Sequence, residues 1–79
     1  MAQKKKKVDY AALSSPFMHI PRMNVRAARA LMDIGIREIY ELRGRDPQSL
    51  LADYAKIKKP DSDFADLFAV AVDFADAQQ

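Results

Sequence analysis

The chain has 79 residues, 49% hydrophobic and 30% charged, with four prolines, two glycines, one histidine and no cysteine. A chain this short forms one small domain and buries only about 60% of the surface its unfolded form exposes, so nearly every large apolar residue is needed inside. Disulfide, thiolate-metal and thiol-nucleophile chemistry are excluded, and His19 alone builds neither a zinc site nor a triad. No enzymatic activity and no cofactor are expected.

Charge is polarised along the sequence. Residues 1–59 hold all thirteen Lys and Arg against six acids, a net +7, while residues 60–79 hold five Asp and no base, a net −5. Such asymmetry points to a nucleic-acid or membrane-surface partner for the basic portion. No apolar window approaches the roughly 20 residues of a membrane span, and no apolar stretch follows the first lysines as it would in a signal peptide. A cytoplasmic protein without a membrane partner is expected.

Residues 1–8, with Lys4, Lys5, Lys6 and Lys7, offer nothing apolar to pack before Val8 and read as a disordered basic arm. Residues 9–79 read as a single domain. Asp9 is placed to cap a short helix carrying Tyr10, Ala12 and Leu13, which Ser14, Ser15 and Pro16 end. Phe17, Met18 and Ile20 form an apolar patch that breaks at Pro21. Asn24 then caps a helix in which Val25, Ala28, Leu31, Met32 and Ile34 follow helical spacing, with Arg22, Arg26, Arg29 and Asp33 on another face. Gly35 ends it in the left-handed conformation.

A brief helix over 37–42 is expected to turn Ile36, Ile39, Tyr40 and Leu42 inward, and Gly44 stops it. Asp46-Pro47 is an N-cap followed by proline at the first helical position, where its missing amide is harmless. Leu50, Leu51, Tyr54 and Ile57 predict an amphipathic helix running to Lys58 or Lys59 before Pro60. Asp61 or Ser62 is placed to cap the last helix, whose Phe64, Leu67, Phe68, Ala71, Phe74 and Ala75 recur at three- and four-residue steps. No segment alternates with period two, so the fold class is all-α, a compact bundle of four to five short helices.

The run Ile20-Pro21-Arg22-Met23-Asn24, the alanines that follow it, and Ile34-Gly35-Ile36 are similar to a helix-hairpin-helix element, which runs Leu-Pro-Gly-Ile-Gly into a helix and often closes with Leu-Gly-Ile. With the downstream Leu42, Gly44, Asp46, Pro47 and Leu50, residues 16 to about 75 resemble the pathogenicity-locus helix-hairpin-helix family of small bacterial proteins. A C-terminal domain of the competence-regulator type is similar in pattern. The resemblance implies a SAM-like helix-hairpin-helix fold and sequence-independent DNA binding.

The physical basis of such binding is a tight turn into a helix N-terminus, whose unpartnered amides and positive dipole end receive a phosphate. Here Arg22 and Asn24 stand where the two glycines are expected. Asn24 is the residue able to keep a left-handed turn, and as an N-cap it would instead bond the amide of Arg26 or Ala27. Arg22, Arg26 and Arg29 could set guanidinium groups where the amide nest was lost.

The expected nucleic-acid contacts are therefore Arg22, Asn24, Arg26 and Arg29 with Lys4 to Lys7. The plainer reading makes the arginines a solvated helix face and the lysines a solubilising arm, and leaves the domain a protein-interaction adaptor. His19 is expected to be partly buried beside the turn, Tyr10, Tyr40 and Tyr54 to sit at core-like positions, and Met18, Met23 and Met32 to fill core gaps. Asp61, Asp63 and Asp66 lack the glycine and the terminal acid of a calcium loop.

Overall fold

Asp9 opens the described part of the chain, residues 9–78 of the computed structural model. Its Oδ1 accepts a hydrogen bond from the Ala12 amide at 3.1 Å and caps helix α1 (Tyr10–Leu13). Ser15 then leads into a 3-10 turn, Pro16–His19, which carries Phe17 into the centre of the molecule. Helix α2 (Val25–Asp33) begins at Asn24, whose Oδ1 accepts from the Ala27 amide at 2.8 Å.

Its far end is a complete Schellman closure. Gly35, at φ 94°, donates to the Met32 carbonyl at 3.0 Å, and Ile36 donates to Leu31 at 3.0 Å while burying its side chain.

A second 3-10 turn, Ile39–Leu42, follows. Glu41 folds back to accept from the amides of Arg37 (2.6 Å) and Glu38 (2.9 Å). Helix α3 (Pro47–Ala55) starts on Asp46, whose carboxylate accepts from the Gln48 amide at 3.0 Å. Helix α4 (Phe64–Ala77) closes the described chain. Four helices and two 3-10 turns, with no strand among the described residues, make the protein all-α.

Packing follows from which faces are apolar. Helix α1 lies on α2, and α3 lies on α4, which also covers the Ile39–Leu42 turn; α2 touches both later helices. Ala27, Ala28, Ala30 and Leu31 are all fully buried, so one side of α2 is closed off, and across the three alanines its neighbours approach over single methyl groups. Phe17, Leu31, Leu42, Leu50 and Phe68 form the fully buried centre. Tyr54 meets Phe64 edge-on at 5.5 Å between ring centroids, and Phe64 stacks on Phe68 at 5.6 Å. Met18, Met23 and Met32 pack as partly buried fillers around this core.

The structure departs from expectation at a few places, each with a local cause. Tyr40 is 64% exposed rather than inward, because a 3-10 turn repeats every three residues: Ile39 and Leu42 share the inner face and Tyr40 falls outside it. Helix α3 ends at Ala55, short of Lys58, and Ile57 is 53% exposed on the turn that follows. Past Ala55 the amides of Lys56 and Ile57 donate to the carbonyls three residues back, Asp53 and Tyr54, so the last turn tightens out of α geometry, and Pro60 restrains Lys59 beyond it. Tyr10 and His19 are exposed, each standing on a short element that buries one neighbour alone, Ala12 and Phe17 respectively.

Asp63, not Asp61 or Ser62, precedes α4, and it caps nothing: it is itself in helical geometry, and its carboxylate is drawn to Asn24. Val72 joins the buried stripe of α4, from which the expected set had omitted it, and Phe74 is only partly buried. Residues 1–8, the basic arm, lie outside the described residues.

Phe68 is fully buried within the core formed by the described residues. Phe68→Ala is expected to lower unfolding stability by about 3 to 5 kcal/mol, measured by chemical denaturation; a loss below about 1 kcal/mol would show that α4 contributes little to the cooperative unit.

Candidate functional site

The segment between the first 3-10 turn and α2 is a tight reversal. The Met23 amide donates to the Ile20 carbonyl at 3.2 Å, Pro21 takes the second position, and Arg22 the third at φ 68°. Proline followed by a positive φ is the signature of a type II turn, which ordinarily requires glycine at that third position. Arg22 is the one non-glycine residue with positive φ among the described residues. Holding it there costs roughly 1 to 2 kcal/mol.

Asn24 does not share that conformation. At φ −121° and ψ 168° it is extended, the ordinary geometry of the N-cap expected from the sequence, and of the two alternatives for Asn24 the left-handed turn is the one not taken. Its Oδ1 takes the Ala27 amide, while among the described residues the amides of Val25 and Arg26 make no hydrogen bond. Its Nδ2 donates to Asp63 Oδ2 at 3.2 Å, tying the start of α2 to the start of α4.

The three arginines have distinct surroundings. Arg29 is clamped: Nε and Nη2 donate to the two oxygens of Asp9 at 2.7 and 2.6 Å, and Asp33 lies 3.7 Å from Nη1. The Arg29 hydrogen bonds, helped by the Ala12 amide, pull the Asp9 carboxyl down to about 2, and Asp9 in turn raises the already high Arg29 pKa. This fork fastens α1 to α2. Arg26 pairs with Asp61 at 2.8 Å in the open, with side chains 71% and 41% exposed. An exposed pair of this kind contributes at most about 1 kcal/mol, so Arg26 exchanges partners readily. Arg22 is exposed, with no carboxylate partner among the described residues.

Beside this turn lies an open cleft of about 570 Å³ between the first turn of α2 and the segment after α3. Arg26 stands on one side and Lys58 and Lys59 on the other, with the buried Tyr54 and Phe64 rings beneath. In the sequence Lys58 and Lys59 mark only the expected end of a helix before Pro60. The structure places both beyond the last helical turn, before a proline.

Residues 9–78 carry nine Lys and Arg against eleven acids, a net −2, so the overall positive charge of the chain resides in Lys4 to Lys7, outside the described residues. Among the described residues no group of three His, Asp or Glu could hold a metal ion, and no helix is long and apolar enough to cross a membrane. No family model matches the chain, and neither the curated proteins nor the solved structures contain a significant match to it.

The Asp9–Arg29 fork makes stability depend on acid. Because the folded carboxyl titrates near 2 rather than at its ordinary 3.8, its stabilising contribution is full above about pH 4 and disappears as pH falls through 2. Asp9→Asn is expected to lower the thermal midpoint at neutral pH and to weaken its decline between pH 4 and 2, followed by circular dichroism. Unchanged midpoints across that range in both proteins would show the fork to be energetically silent.

Proposed function

We propose that this chain is a helix-hairpin-helix domain of the pathogenicity-locus type that binds the phosphate backbone of nucleic acid without regard to sequence. The observation that carries the reading is Arg22. A position that calls for glycine is held by a strained, exposed arginine, which sets a positive charge at the mouth of a turn feeding a capped helix. Two amides at the start of that helix, those of Val25 and Arg26, are open to an anion, with the positive end of the α2 dipole behind them.

The roles are unequal. Arg22 supplies charge at the turn. Arg26 contributes by leaving Asp61, and Asn24 shapes the helix start. Arg29 acts through its fork with Asp9 by holding α2 in place, and Lys4 to Lys7 add attraction to any polyanion. Contacts of this kind go to phosphate and leave the bases unread.

A second reading, a protein-interaction adaptor, draws support from Asp61 and Asp63, which put two carboxylates against the hairpin where a phosphate would lie.

Salt separates the readings. Binding to a labelled DNA duplex should be weak, with a log–log salt slope of roughly −3 to −5, as about three to five phosphates are neutralised. No binding in low salt would leave the adaptor reading.

Arg22→Gly separates strain from charge. Removing the positive-φ cost of roughly 1 to 2 kcal/mol, less the roughly 0.5 to 1 kcal/mol that glycine loses in chain entropy, should raise stability by up to about 1.5 kcal/mol. The same change should flatten the salt slope by about 1 unit. Higher stability with an unchanged slope would remove Arg22 from the phosphate-binding residues.

A further inference from the structure

We propose that the phosphate-binding surface continues from the hairpin into the cleft beside it, where Lys58 and Lys59 receive the phosphates that follow along the strand. The inference rests on the nucleic-acid reading above and names residues which that reading does not require.

Charge accounting in the cleft singles these lysines out. Four cations line it, Arg26, Arg29, Lys58 and Lys59, together with two carboxylates, Asp9 and Asp61. Asp9 is taken up by the Arg29 fork and Asp61 by Arg26. Lys58 and Lys59 thus contribute an unbalanced +2 to one wall of a domain whose described residues sum to −2.

Intramolecular attraction does not explain where they stand. Asp61 is only two residues from Lys59 yet pairs with Arg26 across the cleft, and Lys56, closer to the helix, is the lysine that reaches back to Asp53 at 4.0 Å. Both lysines also lie beyond the α3 C-cap, Lys56, where the dipole of that helix has largely faded.

The chemistry of the cleft fits a phosphodiester strand. Val25 and Arg26 line it and also carry the two unbonded amides at the start of α2, so the helix start and the cleft share an edge. Lysine ammonium groups on flexible stems act as point charges and suit a chain of tetrahedral phosphates whose register is not fixed. The rings beneath are nearly fully buried, Tyr54 at 6% and Phe64 at 3% exposed, and so offer no face for base stacking. Backbone contact without base recognition is the result.

The test compares two charge-matched variants of the full chain, Lys58→Gln with Lys59→Gln and Arg43→Gln with Arg45→Gln, the latter pair exposed on the connection before α3 and outside the cleft. Salt-titrated fluorescence anisotropy on a labelled duplex reads both, with a poly-glutamate peptide as a second ligand. The cleft variant should flatten the salt slope by about 2 units, near 0.9 for each phosphate no longer neutralised, while the Arg43/Arg45 variant keeps the wild-type slope.

Equal flattening in both variants, or none in the cleft variant, would overturn the inference while wild-type binding leaves the nucleic-acid reading standing. Absence of wild-type duplex binding would overturn both. Binding of poly-glutamate but not of duplex, abolished in the cleft variant, would reassign the cleft to an acidic protein partner.

Discussion

Everything around the reversal at Pro21 and Arg22 depends on the side chain of Asn24. Its oxygen caps α2 through the Ala27 amide, and its amide nitrogen holds Asp63 at the head of α4. The first bond fixes Asn24 in extended geometry, so the reversal of the chain falls entirely on Pro21 and Arg22. The second removes Asp63 from capping duty and brings the segment before α4 against α2, where Asp61 meets Arg26. One carboxamide therefore links two helix starts 39 residues apart and arranges the charges between them.

Three arginines at helical spacing look alike in a sequence, and the fold treats each one differently. The decisive quantity is how many hydrogen bonds a carboxylate makes and how wet it is. Asp9 offers Arg29 a two-point, partly shielded contact; Asp61 offers Arg26 one exposed contact. Geometry of the first kind is strong and specific, whereas a single exposed pair is weak and screened by salt. A stripe of equal formal charge is thereby divided into a structural clamp, an exchangeable partner and an uncompensated cation.

What was legible in the sequence was what is local. Asp9, Asn24 and Asp46 satisfy amides two or three residues ahead, Gly35 closes a turn on its own helix, and the α4 stripe announces itself by spacing; each rests on a rule confined to one or two helical turns. Tyr40 was misplaced because an i, i+3 repeat over four residues cannot be told from the 3.6-residue repeat by apolar spacing alone. The idle cap at Asp63, the Asp9–Arg29 fork and the gathering of Lys58 and Lys59 opposite Arg26 all depend on chain segments 20 or more residues apart. No periodicity encodes such pairings.

The alanines of α2 set a ceiling on side-chain volume. Ala27, Ala28 and Ala30 have no exposed surface on a helix packed against neighbouring elements, so any larger group there must push a neighbour aside, and overpacking of this kind typically costs about 1 to 3 kcal/mol. On the opposite face Arg26 stands in solvent with nothing to displace except one exchangeable carboxylate. Freedom to vary is therefore split between the two sides of a single nine-residue helix. Its inner side is nearly fixed in shape, while its outer side can be retuned one charge at a time, so the surface charge of this helix can drift without disturbing the packing beneath it.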